Sequence, residues 1–174
     1  MRRAQLEHLI RASAGITGAD RFVIIGSQSI LGQFPNAPHE LLVSIEADIF
    51  SLRDPTDADL IDGSIGEGSP FHQTFGYYAH GVVEKTAVLP EGWRERLVSV
   101  SNENTGGGTG LCLEVHDLAV SKLVAGREKD LDFVGALLRH RLAKSEVIGQ
   151  RLASTPITEE HRATSRARLK RLQS

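Results

Sequence analysis

Two carboxylates, Glu46 and Asp48, stand two positions apart in the run LLVSIEADIF. On an extended chain alternate side chains point the same way, so the pair is presented side by side. Carboxylates placed like this repel each other unless a cation or a basic side chain lies between them. Mg²⁺ takes such ligands, using one or two carboxylates together with phosphate oxygens of a substrate. Upstream, the apolar run Arg21–Ile25 is followed by Gly26 and Ser27. Glycine lets the backbone turn tightly and come close to a ligand, and the Ser27 hydroxyl with the amides after it suits a phosphate. Downstream, Lys122 stands in the apolar stretch LAVSKLVAG and shares a helical face with Leu118, Ala119, Ala125 and Gly126. An ammonium there needs an anion. The Glu46/Asp48 pair or a bound phosphate would serve, and the expectation is that Lys122 points into the cleft between Ser27 and Asp48. Asp130, eight residues further on, is placed to orient it. The chemistry these residues allow is metal-assisted binding of a phosphate-bearing substrate. An acidic strand face that is merely solvated has the same E-x-D spacing, so the pair alone does not decide.

Other residue types carry weaker signals. His39 and His72 have no second ligand at a fixed spacing and read as surface residues rather than zinc ligands. Cys112, in the apolar LCL, reads as a small buried hydrophobe. NTGGGTG has no following Lys-Ser/Thr and is no P-loop. Trp93 reads as an anchor for the LPEGWRERL loop; Arg94 and Arg96 either face the cleft or, as most loop arginines do, are solvated. Arg162, Arg166 and the Arg168–Arg171 run would suit an RNA backbone. No aromatic is interleaved for base stacking, which favours a solvated helix.

The elements that must position these groups follow from periodicity. Leu6, Leu9, Ile10 and Ala14 predict a helix over 2–14, ended by Gly15 and Gly18. Residues 21–25 predict a buried strand, and Gln28–Gly32 a short helix. Leu41–Phe50 predicts a second strand, with Leu41, Val43, Ile45, Ala47 and Ile49 on one face and Ser44, Glu46 and Asp48 on the other. A helix over 56–65 follows, then strands at Phe75–Val83, Leu97–Ser101 and Leu111–Glu114, with Asn104–Gly110 as a loop. From Asp117 the period turns helical, and Gly126 splits it into two helices. Leu118, Leu123, Leu131, Val134 and Leu138 should be buried. Pro156 opens a last segment with Thr158 as N-cap. The order predicts one α/β (α+β) domain over 1–174, a small mixed sheet with C-terminal helices and a basic helical tail over 156–174.

Composition bounds the class. The 174 residues are 40% hydrophobic and 24% charged, which excludes wholesale disorder. The net charge of −2 gives no reason for non-specific nucleic-acid binding. Charge is polarised: residues 1–114 hold 8 Lys/Arg against 15 Asp/Glu, and 115–174 hold 12 against 7. Between Glu40 and Glu67 Arg53 is the one base. This would pair an acidic strand with a basic helical wall, although helices often simply carry more arginine. The single cysteine excludes an internal disulfide. No apolar run approaches the ~20 residues of a membrane span, and MRRAQLEHLIRASAG lacks a secretory h-region. The expected compartment is the cytoplasm.

The strand, then IIGSQSIL, then a strand ending SIEADIF resembles the nucleotidyltransferase superfamily, with its polymerase-beta-like fold. Gly26 and Ser27 match its Gly-Gly/Gly-Ser turn. Glu46 and Asp48 match its D-x-D/E pair, with Glu in place of the first Asp. Val115–Leu138, VHDLAVSKLVAGREKDLDFVGALL, is similar to a D-L-x-x-x-K-L-x-A-x-R-x-K-D segment of bacterial abortive-infection nucleotidyltransferase toxins and their uncharacterised relatives. Asp117, Leu118, Lys122, Leu123, Ala125, Arg127, Lys129 and Asp130 fit it. The resemblance covers roughly residues 20–140. It implies Mg²⁺ on Glu46 and Asp48, and NTP phosphates against Gly26, Ser27, Lys122 and Arg127. It also implies a required Asp130, and transfer of a nucleotide to an RNA acceptor such as tRNA, or to a protein acceptor, as the toxin of a toxin–antitoxin pair. The superfamily's third carboxylate belongs on the strand FGYYAHGVV, where no acid lies between Phe75 and Val83. Tyr78, His80 and Val82 share one face of that strand. His80 suits the base's role by its pKa, though a lone strand histidine is more often structural. The alternative is an inactive domain of this type that binds a nucleotide or a partner protein. A purely structural interaction domain is a further one.

Overall fold

The computed structural model describes residues 1–173. In chain order the elements are α1 (Arg3–Thr17), β1 (Arg21–Ile25), a 3₁₀ turn at Ser27–Ser29, α2 (Ile30–Gln33), β2 (Glu46–Ser51), α3 (Asp57–Ile65), α4 (Pro70–Phe75), β3 (Tyr78–Gly81), β4 (Val98–Val100), β5 (Thr109–Cys112), α5 (Val115–Ala125), α6 (Glu128–Arg139), α7 (Ser145–Ala153) and α8 (Glu159–Arg171). The five strands form one mixed sheet in the order β3-β2-β1-β5-β4. β1 is central, antiparallel to β2 and parallel to β5. That place explains its near-continuous apolar run, since both neighbours and both faces are covered. The fold is thus the expected mixed α/β, with helices closing the C-terminal part.

Register is what builds the site. Ile25 pairs with Asp48 across β1 and β2. Parallel pairing of β2 with β3 then sets Glu46 beside Tyr78 and Asp48 beside His80. Where β1 ends, Gly26 turns the chain directly past Asp48.

The helices behind Lys122 follow their apolar period. Leu118, Leu123 and Val134 are wholly buried, and Leu131 and Leu138 pack on the same core from its edge. Gly126 ends α5 with φ 66, a left-handed conformation that a side chain would strain. Arg168 of α8 closes over this turn: its Nη1 donates to the Leu123 carbonyl at 2.6 Å and to that of Val124 at 3.2 Å. Arg162 does the same for the end of α7, donating to the carbonyls of Leu152, Ala153, Thr155 and Ile157. Thr158 caps α8 as expected, accepting from the His161 amide. The basic tail is therefore a docked helix, two of whose arginines cap other helices.

Several boundaries differ from expectation. α1 runs through Gly15 and ends before Gly18, which turns left-handed with φ 71 and whose amide donates to the Ala14 carbonyl; a single interior glycine is too weak a breaker to stop a helix whose Leu6, Leu9 and Ile10 are fully buried. β2 begins at Glu46 rather than Leu41. Its partners β1 and β3 are short: β3 reaches Ile45 only through the Tyr78 amide, which donates to the Ile45 carbonyl at 3.1 Å, and residues 41–44 have no strand to pair with. Leu41 lies in a 3₁₀ turn, and Val43 and Ile45 are 67% and 48% exposed instead of buried. The strand expected at Phe75–Val83 shrinks to Tyr78–Gly81. Ser69 accepts from the His72 amide and Pro70 follows it, a helix start that makes Pro70–Phe75 helical. Thr109 and Gly110 join β5 by pairing with Arg21 and Phe22. α6 ends at Arg139, before Leu142, and α7 carried no strong apolar period. No helix among the described residues is long and apolar enough to cross a membrane.

Candidate functional site

One cleft of about 1100 Å³ is lined by Gly26, Ser27, Glu46, Asp48, His80, Lys122, Arg127 and Asp130. All seven residues picked from the sequence as site candidates therefore share one cavity, and His80 joins them. The strand wall is acidic and the helical wall basic, which matches the charge polarity of the chain.

On the strand wall, ligating atoms of Glu46, Asp48 and His80 all lie within 4.8 Å of one another. His80 Nδ1 is 3.1 Å from Asp48 Oδ1 and 3.9 Å from Glu46 Oε1. The Tyr78 hydroxyl donates to Glu46 Oε2 at 2.7 Å, and this bond, with burial, pushes the phenol's pKa up. Burial raises the Asp48 pKa, and the Glu46 charge beside it adds to the rise. Ionising both carboxylates is thus costly here, and that cost falls when a cation neutralises them. Two carboxylates and an imidazole nitrogen at this spacing are a donor set that fits a divalent cation. Gly26 stands against the same group, with φ 69 and ψ −172. A Cβ there would meet Asp48 Oδ2 at 2.1 Å. Glycine is required twice over, by its dihedral and by the approach of the carboxylate.

On the helical wall, Lys122 departs from expectation in its partner. Its Nζ donates to Asp130 Oδ1 at 2.9 Å and lies 4.6 Å above the Phe133 ring. The anion that reaches it is Asp130, because α6 starts two residues after the Gly126 turn and carries Asp130 back alongside α5. Lys122 still lines the cleft, with only 7% of its surface exposed. Burial pulls its pKa down from 10.5, while Asp130 opposes the fall. Burial by itself would raise Asp130, but bonds from Arg127 and Lys122 outweigh it and hold the carboxyl below its ordinary 3.8. Arg127 Nε donates to Asp130 Oδ2 at 2.6 Å. Its guanidinium remains 64% exposed and feels Asp48 and Glu46 as well as Asp130. Asp130 thus orients both cations, the role its spacing suggested for Lys122 alone.

The remaining candidates fall outside this chemistry. Asp117 is fully buried and bound by Arg96 at 2.8 and 3.0 Å, so both are structural. Arg94 pairs with Glu84 and lies 4.8 Å from the centre of the Trp93 ring, and Trp93 is buried as an anchor. Burial pushes the Cys112 thiol up to about 12, which leaves it chemically silent. His72 accepts from the Gly68 amide. Sequence reasoning missed Tyr78 as the partner of Glu46. Two i, i+2 polar pairs, Glu46/Asp48 and Tyr78/His80, were visible on two strands. Only the register sets them side by side.

Comparison with curated proteins and with solved structures gives no match. Residues 4–165 match the model of a family described as a nucleotidyltransferase of unknown function (DUF6036). With the Gly-Ser turn, the carboxylate pair and the basic wall in one cleft, and with nearly the whole chain matched, the protein belongs to this nucleotidyltransferase family.

Proposed function

We propose that the protein transfers a nucleotide from an NTP to a hydroxyl acceptor on RNA or protein. The observation that carries this is the convergence of Glu46 and Asp48 with Gly26, Ser27, Lys122 and Arg127 on one cleft. Glu46 and Asp48 would hold a divalent cation of the Mg²⁺ type, and a cation bound there supplies charge neutralisation to the triphosphate. The missing side chain of Gly26 leaves room for the phosphates beside Asp48. Ser27 would donate its hydroxyl to them. Arg127, exposed and fixed by Asp130, would contact the phosphates directly. Lys122 would add its charge from the wall behind. Positioning and charge neutralisation are the main sources of rate in such reactions. The acceptor oxygen adds to the α-phosphorus as the bond to pyrophosphate breaks, and the hydroxyl proton passes to solvent. We further propose a cytoplasmic role as the toxin of a toxin–antitoxin pair, with tRNA among the acceptors, as the resemblance to abortive-infection toxins suggests.

The test incubates the purified protein with Mg²⁺ or Mn²⁺ and each α-³²P-labelled NTP, with and without total tRNA. Label should pass to RNA or protein and disappear in Asp48→Ala. One observation favours a second reading, a nucleotide-binding domain without transfer: β3 offers His80 and no carboxylate. Nucleotide binding that depends on Asp48, with no transfer to any acceptor, would select that reading.

A further inference from the structure

His80 sits opposite Asp48 in the parallel β2–β3 register, on the strand next to the carboxylate pair. Its Nδ1 is the nitrogen that faces both carboxylates, 3.1 Å from Asp48 Oδ1 and 3.9 Å from Glu46 Oε1. Those carboxylates are its polar side-chain partners among the described residues. Glu46 is held from the other side: the Tyr78 hydroxyl occupies Oε2, which leaves Oε1 on the side of His80. Three donor atoms from three side chains thus converge, one nitrogen and two oxygens. β3, whose residues are Tyr78, Ala79, His80 and Gly81, brings no oxygen anion of its own.

Resting on the nucleotidyl-transfer reading, we propose that His80 is a direct ligand of the cation and makes the site select Mn²⁺ over Mg²⁺. Mg²⁺ demands near-ideal octahedral oxygen ligation. Imidazole is a ligand of transition metals, and Mn²⁺ is the one that shares the oxygen chemistry of Mg²⁺. A site with two carboxylates and nucleotide phosphate oxygens accepts either ion on its oxygens. The nitrogen adds a bond of value to Mn²⁺ alone. The selectivity therefore resides in one side chain, half exposed and free to move the short distance from hydrogen bonding to ligation.

The experiment titrates wild-type protein with Mn²⁺ in the presence of α,β-methylene-ATP. Free Mn²⁺ is followed by electron paramagnetic resonance and Mg²⁺ is the competitor. Pulsed measurement of the bound ion reads directly ligated ¹⁴N. Wild type should show nitrogen modulation and a preference for Mn²⁺. His80→Ala should lose the modulation and weaken Mn²⁺ on the order of tenfold or more, with little effect on Mg²⁺. This variant also measures whatever bias the carboxylates have unaided. His80→Asp should shift the preference toward Mg²⁺, and circular dichroism checks that both variants are folded. Bound Mn²⁺ without nitrogen modulation, or a preference unchanged in His80→Ala, overturns the proposal while label transfer with Mg²⁺ still stands. Cation binding indifferent to Asp48→Ala overturns the site reading itself, and this proposal with it.

Discussion

Replacing Gly26 with alanine would place a methyl 2.1 Å from Asp48 Oδ2 on a backbone whose φ is 69. The carboxylate must move, and the dihedral alone costs about 1–3 kcal/mol for a residue other than glycine. Gly26→Ala should therefore lose cation and nucleotide binding by calorimetry and unfold at lower urea, both from one methyl group. Lys122 is a different case. From the sequence, Lys122→Ala should abolish nucleotide binding and leave the fold intact. In the structure its ammonium is paired with the wholly buried Asp130, and removing one partner of such a pair typically costs about 3 kcal/mol or more. Arg127 still serves Asp130, which softens the loss. Lys122→Ala should thus lower stability in denaturant titration as well as nucleotide affinity. Lys122→Arg should restore only part of the binding, because a planar fork does not sit where a point charge did.

Among the elements, α8 is informative because its bonds to its neighbours run through arginines. Arg168 serves the carbonyls at the end of α5, where a cation also meets the negative end of the helix. Arg168→Ala should cost about 1–2 kcal/mol in thermal unfolding and speed amide exchange across the Gly126 turn. This role was not legible in the sequence, where Arg162 and Arg168 looked like members of a basic run. A side chain that caps a distant helix leaves no local periodic trace. What was legible had such a trace: the apolar period of α5 and α6, the split at Gly126, the Thr158 cap and the unbroken run of β1. The strand limits of β2 and β3 failed because pairing ends where the partner ends, and the exposed Val43 and Ile45 mimic strand alternation outside the paired strand. The site candidates were legible because motif spacing survives such errors. Asp48 alternates with Glu46 whether the strand begins at Leu41 or at Glu46.

For the whole molecule, stability should fall in acid. Burial by itself would raise Glu7, but bonds from Asn102, Asn104 and Arg3 outweigh it and hold the acid below its ordinary 4.5. Asp130 is likewise held below 3.8. Burial, and the charge of Arg11, keep His8 below 6.5. Each of these groups binds its proton more weakly in the folded chain than in the unfolded one. Their contribution is complete above about pH 6.5 and declines as pH falls, first through His8 and then through Glu7 and Asp130. Urea unfolding between pH 8 and 3.5 should show a midpoint that drops in these two stages, and His8→Gln should remove the first. A midpoint rising toward acid would contradict the assignment. Part of the charge polarity of the chain meets at the cleft, where Glu40, Glu46 and Asp48 stand across from Lys122, Arg127, Lys129 and Arg139, while Arg162 and Arg168 serve helix ends elsewhere. Glu40 ties the two walls together through Arg139 at 2.7 Å and His140 at 2.6 Å.

The guanidinium of Arg168 fills the space that a side chain at residue 126 would need, since a Cβ there would lie 2.1 Å from its carbon. Inheritance should link the two positions, although the φ of 66 disfavours a side chain at 126 whatever stands at 168. In a collection of related sequences, a larger residue at 126 should come with a smaller one at 168, and an arginine at 168 with glycine at 126. Lineages that shed the last helix would leave the carbonyls of Leu123 and Val124 to water, while Gly126 with its own bond to the Lys122 carbonyl would still make the turn toward Arg127.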